Sequence, residues 1–196
     1  REFAPGEMLV EHNTSIGGCY YIIDGLVFAV DFTENGEKVF GLIVDKETLL
    51  GETSLLLGIP FPTGFQAQIK ARALFISAAD FSDLFERDKE VSQYAARVAA
   101  RKMLSIKKLY SNRKNESVVW RICDTILELS YRYGKDFEGG KLIAFPLSHQ
   151  LLADFVNANR ITVTKCMRSL KNQGLIRRIN NAYNVPDVKR LETYKK

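Results

Sequence analysis

Residues 157–185, NANRITVTKCMRSLKNQGLIRRINNAYNV, hold the side chains best placed to do chemistry in this chain, and they are cationic and polar rather than nucleophilic. At about 100° per helical residue, Ile161, Lys165, Arg168 and Asn172 share one side, with Thr164 beside them. Val163, Cys166, Met167 and Leu170 recur at i, i+3, i+4 and i+7 on the other side and must face a core, so Cys166 is a packing residue. A face of this kind binds a polyanion and breaks no bonds. A basic face is more often just solvated, so its surroundings have to decide.

The usual reactive groups are poorly placed. Cys19, Cys123 and Cys166 are far apart and form no CxxC pair, which predicts buried, reduced thiols. His12 and His149 are the only histidines, and neither stands near a cysteine or a carboxylate cluster at ligand spacing. No catalytic residue, metal site or cofactor is expected.

Several elements must position the basic face. Ser148 can cap a short helix, HQLLADFVN, whose Leu151, Leu152, Phe155 and Val156 form an inward stripe. Asn159 caps the second helix after the NAN turn, and Gly174 ends it. LIRRI, a polar NN pair and AYNV then predict a β-hairpin. Helix, turn, helix and hairpin make a winged helix-turn-helix: the first helix braces the second, whose exposed face enters the DNA major groove while the wing meets the backbone.

Upstream, SVVWRICDTILELSYRYG predicts a helix from a Ser117 cap to a C′ glycine at Gly134, and KDFEGGKLIAFPLS reads as a loop, a short strand and a proline-marked turn. Before that, Ala96, Ala99, Met103, Ile106 and Tyr110 advance by 3, 4, 3 and 4, a two-heptad seam suited to a second copy of the chain. The ordinary alternative is an amphipathic helix packed on its own domain. Residues 1 to about 78 alternate β-rich runs with turns, with Asn35-Gly36 a strong hairpin signal and Asp24-Gly25 another turn, which argues for a sandwich or barrel.

The net charge of +5 over 196 residues hides a division. Residues 1–88 carry 6 Lys/Arg against 14 Asp/Glu, or −8, and residues 89–196 carry 22 against 9, or +13. A basic second half favours a polyanionic partner that the acidic first half repels. The chain has no apolar run near the ~20 residues of a membrane span and no signal peptide, so a cytoplasmic protein without a membrane partner is expected. Its first residues, REFAPGEMLVEH, read like the inside of a strand-rich domain, so a native segment is expected to precede them.

This order of parts resembles the cyclic-AMP receptor protein and fumarate-nitrate regulator family, CRP/FNR. YYIIDG, the Gly51-Glu52 pair in LLGETSLLLG, RITV and LKNQGLI carry the likeness, which covers nearly the whole chain. It implies an α+β chain: an antiparallel β-roll of the cyclic-nucleotide-binding jelly-roll type over 1–88, a central dimerisation helix over 89–113, and a winged helix-turn-helix over 114–196. It further implies a homodimer that binds a palindromic operator in double-stranded DNA, answers to a small-molecule effector and acts with RNA polymerase. Such coupling is a population shift, so the effector must prefer one arrangement of the chain.

By that resemblance Arg160 reads a guanine through O6 and N7, Lys165 reads or clamps DNA, and Ser148, Gln150 and Thr162 lie near phosphates. Thr164 and Arg168 complete the DNA surface. Ile161 departs from the pattern: many relatives carry an acid there, which accepts from cytosine N4, whereas isoleucine offers only apolar contact with a thymine methyl. The effector side centres on Gly51 and Glu52. The family holds a cyclic phosphate with an Arg and a following hydroxyl some ten residues beyond the glutamate. The equivalent stretch here, GIPFPTGFQAQ, has no Arg, so cyclic AMP is not expected. Phe61, Thr63, Gly64 and Phe65, with Lys107 nearby, would suit a small organic anion, although the aromatic pair could equally be core. An iron-sulfur sensor needs four thiolates against three cysteines, and a haem sensor would lean on the lone His12. The other readings are an architectural nucleic-acid binder without a ligand and an enzyme with a basic tail.

Overall fold

A computed structural model of the chain describes residues 1–32, 35–36, 38–44, 46–111, 116–143 and 145–195, with the side chains of all but 38–40 and 108–111. The chain divides into two compact units, Arg1–Lys108 and Leu109–Lys196.

Unit one begins with β1 (Glu2–Phe3), β2 (Met8–Val10), β3 (Gly18–Asp24), β4 (Val27–Phe32), β5 (Lys38–Val44) and β6 (Thr48–Leu50). Helix α1 (Glu52–Leu57), β7 (Gly64–Ala67), β8 (Ala71–Ser77), α2 (Ala78–Arg87) and α3 (Lys89–Ser111) follow. The strands form two antiparallel four-stranded sheets, ordered β1-β8-β3-β6 and β2-β7-β4-β5. Strand period explains the unbroken apolar run CYYI in β3, because both faces of the strand are covered there, while Ile23 at its end is exposed. Tyr20 and Ile22 point into a core shared with Val10, Val27, Val44, Leu50 and Phe61. Cys19 and Tyr21, on the alternate face, join Leu49, Phe81, Ala95 and Val98 under α2 and α3. Gly25 turns β3 into β4 at φ 106, where a Cβ would stand 2.5 Å from the Cα of Ala71, so only glycine fits. Gly36, at φ 76, lies in the connection between the paired strands β4 and β5.

Unit two comprises α4 (Val118–Tyr133), β9 (Gly134–Phe137), β10 (Gly140–Ile143), α5 (His149–Val156), α6 (Arg160–Asn172), β11 (Arg177–Ile179), β12 (Ala182–Val185) and α7 (Val188–Lys195). Ser117 caps α4 by accepting from the Trp120 amide at 3.1 Å. Gly134 differs from the expected left-handed C′ glycine. Its backbone is extended, at φ −78 and ψ 136, and it starts β9 at once. Its lack of a side chain matters for another reason, since a Cβ there would meet the Ser130 carbonyl oxygen at 2.1 Å. The segment read as a loop is therefore a strand: β9 pairs with β10 across a turn at Glu138 (φ 45) and Gly139 (φ 78), completing the sheet β11-β12-β10-β9. Helix α7 was not anticipated either. Asp187 caps it at the Arg190 amide (3.0 Å), Leu191 buries its apolar side, and Lys195 reaches Asp124 at 2.7 Å while lying over the Trp120 ring. No helix among the described residues is long and apolar enough to cross a membrane.

Candidate nucleic-acid interface

The helix-turn-helix is built from caps outward. The Ser148 hydroxyl accepts from the Leu151 amide at 3.0 Å, which starts α5 and leaves its own hydrogen available to an outside acceptor. Leu151, Leu152, Phe155 and Val156 are buried, as their stripe required. Asn157 ends α5 in the left-handed region at φ 46, a conformation asparagine tolerates, and Arg121 of α4 donates to its carbonyl at 3.3 Å. Two residues on, the Asn159 side chain accepts from the Ile161 amide at 2.7 Å and starts α6.

Val163, Met167 and Leu170 anchor α6 in the core, with Cys166 half-buried beside them. Arg160, Ile161, Thr164, Lys165 and Arg168 come together on the outer side as the lining of one shallow depression. Ile161 is 66% exposed within that cationic lining, so its apolar side chain is open to contact from outside. Among the described residues no carboxylate pairs with Arg160, Lys165 or Arg168, so their charge is free to meet an outside anion. Thr162 is exposed beside them. Gln150 is exposed but donates to Asp154 at 2.8 Å, folding back along its own helix. In the wing, Arg177 and Arg178 are exposed on β11, and the Arg178 guanidinium donates to the Asn180 carbonyl at the hairpin turn, 3.1 Å away.

Sequence reasoning passed over His149, which sits at the first position of α5. Its Nδ1 lies 3.0 Å from the Thr164 hydroxyl and its Nε2 2.8 Å from the Tyr183 hydroxyl, with the imidazole and Tyr183 ring planes within 18° of each other. Burial and then the nearby Arg178 and Arg160 charges hold its pKa below the ordinary histidine value. No spacing rule links residues 149, 164 and 183, so the sequence carries no signal for this contact.

The expected effector residues are placed as follows. Gly51 has φ 99 and opens α1, and the Phe61 ring fills the space a Cβ would take there. Phe61 is part of the roll core, set edge-to-face against the half-buried Phe65; Gly64 is buried and Thr63 half-buried. Glu52 is 0% exposed, and both its carboxylate oxygens accept from Lys102 of α3 at 2.8 Å. Burial lowers the Lys102 pKa, and the Glu52 charge acts in the opposite sense. Lys107, the cation expected near this site, is instead exposed on α3. Lys102 was missed although the helix period marks it, since it follows Val98 by four residues and Ala95 by seven, both of them buried.

The thiols are poor nucleophiles: burial pushes Cys19 up to about 12 and Cys123 up to about 11, and raises Cys166. The described residues contain no group of three or more His, Cys, Asp or Glu placed to hold a metal.

Comparison with known proteins gives two family matches. Residues 1–88 match the cyclic nucleotide-binding domain and residues 121–194 the Crp-like helix-turn-helix domain. A CRP-like cAMP-activated global transcriptional regulator of Mycobacterium tuberculosis is 23% identical over 172 residues, 88% of this chain and 77% of that protein. The probable transcriptional regulator flp of Lacticaseibacillus casei is 23% identical over 195 residues, covering 99% of this chain and 86% of that one. Among solved structures, a CRP-family transcriptional regulator of Thermus thermophilus superposes with a TM-score of 0.87 at 21% identity, covering 100% of this chain and 96% of that chain.

Proposed function

The chain belongs to the CRP/FNR family of DNA-binding transcription regulators, and from that premise we propose that it is a sequence-specific, dimeric cytoplasmic regulator whose β-roll answers to a small molecule other than cyclic AMP. The observation that carries the DNA reading is the outward face of α6. Arg160, Lys165 and Arg168 stand there without acidic partners among the described residues, around the bare Ile161 side chain. Arg160 at the helix start suits bidentate recognition of guanine, and Ile161 suits a thymine methyl. Thr162 and the free hydrogen of Ser148 suit phosphate oxygens, and Gln150 joins them on release from Asp154.

Dimerisation is supported by α3. Ala95 and Val98 are buried in their own unit, but Ala96, Met103 and Ile106 are exposed, Met103 by 67%, and Ala99 is half-buried. These residues fall on the seam expected from the sequence, and a second copy is the partner that covers such a stripe. The fifth seam residue, Tyr110, lies outside the described side chains. A two-fold pair reads a palindrome, and bound there it would act on transcription through RNA polymerase.

The effector reading rests on Glu52 and the residues after it. The name of the mycobacterial relative gives cyclic AMP as its activator. In this chain Glu52 is fully buried against Lys102, Phe61 fills the space beside Gly51, and residues 58–68 contain no arginine to hold a cyclic phosphate. Selection of bound duplexes from a random pool tests the DNA function: two inverted half-sites are expected, and a pool that stays random rejects it. Calorimetric titration tests the effector claim, and tight binding of cyclic AMP rejects it.

A further inference from the structure

The contacts of His149 join three elements that carry the DNA surface: its own helix α5, Thr164 on α6 and Tyr183 on β12. The hydrogens along this chain can be assigned. The Thr164 hydroxyl donates to the Arg160 carbonyl at 2.9 Å, so its oxygen can only accept from His149. Nδ1 of His149 therefore carries a hydrogen. In the neutral ring Nε2 is then bare, and it accepts the Tyr183 hydroxyl hydrogen. One directed relay results, Tyr183 to His149 to Thr164 to the Arg160 carbonyl, with each hydrogen used once. It ends at the backbone of the residue that opens the depression on α6.

We infer that His149, as the neutral tautomer protonated on Nδ1, is a positioning residue that fixes the reading helix against the wing, so that base selectivity depends on a side chain that itself reads no base. Its surroundings favour the neutral ring: Arg178 of β11 and Arg160 of α6 are cations, Tyr183 and Thr164 are uncharged, and the ring is partly desolvated. A second proton would force the Tyr183 oxygen to accept and strand its hydrogen. Losing the relay frees the Thr164 rotamer and the start of α6 relative to β12, which blurs Arg160 against its base while leaving the overall positive charge untouched.

The inference rests on the sequence-reading function, and its test separates the two. Full-length chain, wild type and His149→Ala, His149→Asn and Tyr183→Phe, is titrated into a duplex taken from the random-pool selection and into a scrambled duplex, at several salt concentrations. The ratio of the two affinities is expected to fall roughly tenfold in His149→Ala, the size of one or two hydrogen bonds, and less in Tyr183→Phe. His149→Asn, which can still donate to Thr164, recovers most of it. Scrambled-duplex affinity and salt slope stay at wild-type values. The ratio is insensitive to a partly unfolded preparation, because both duplexes see the same folded fraction. Nitrogen-15 spectra of the DNA-free chain should show a neutral Nδ1–H ring for His149.

An unchanged ratio in His149→Ala overturns the inference. So does a salt slope lower by about one for each protomer bound, the mark of a direct phosphate contact, or a ring protonated on Nε2 at neutral pH. A wild-type chain without preference rejects the sequence-reading function instead, and the tautomer measurement still decides the relay.

Discussion

Replacing Lys102 with methionine strands the Glu52 carboxylate. That group has no exposed surface, and both its oxygens accept from the one Lys102 ammonium at 2.8 Å; its only other described partner is the Thr53 hydroxyl at 3.3 Å. Deleting one partner of a buried pair costs about 3–5 kcal/mol, because the survivor keeps its desolvation penalty. With a urea slope of roughly 2 kcal/mol per molar, the unfolding midpoint of unit one should drop by about 1.5–2.5 M. Lys102→Met with Glu52→Gln removes the charge from both sides and should return most of that loss. The single tryptophan, Trp120, lies in unit two, so its fluorescence is an internal control while amide exchange of β3 and β8 follows unit one. A midpoint shift below about 0.5 M in Lys102→Met, equivalent to about 1 kcal/mol, would refute the buried pair. So would a double variant no better than the single one.

Other perturbations address the DNA surface and the dimer. Arg160→Ala should cost about 1–3 kcal/mol on the selected duplex and relax one base position in a repeated selection. Ile161→Glu, at a site 66% exposed, should move the neighbouring preference toward cytosine, read by the same selection. Met103→Glu puts a charge in the exposed α3 stripe and should convert the chain to monomer in sedimentation velocity, with the fold retained by circular dichroism. His149 has a lowered pKa in the fold, so the unfolded chain, titrating near 6.5, binds the proton more readily. Its contribution is complete above that value and is lost as pH falls toward the folded pKa. Thermal unfolding read by Trp120 should therefore lose stability below about pH 6.5, more in wild type than in His149→Asn.

Local signals were legible in the sequence and crossings between elements were not. The periodicity of Val163, Met167 and Leu170 is enough to orient α6, and the same count places Arg160, Ile161, Thr164, Lys165 and Arg168 together, which is how they stand. Lys102 could have been found by that counting, since it shares a face with Ala95 and Val98 whereas Lys107, nine residues beyond Val98, falls on the opposite side. β9 escaped because GKDF is charged and its strand character comes from pairing with β10. His149 escaped because its partners lie 15 and 34 residues away on other elements.

Fluorescence anisotropy of the full chain on the selected duplex and on a scrambled one, across a salt series, tests the central claim most directly. A chain that reads sequence should prefer the selected duplex by at least about a thousandfold near physiological salt, most of it above the electrostatic background both duplexes share. Equal affinities with the same salt slope would contradict that claim and leave a chain that holds nucleic acid by charge alone.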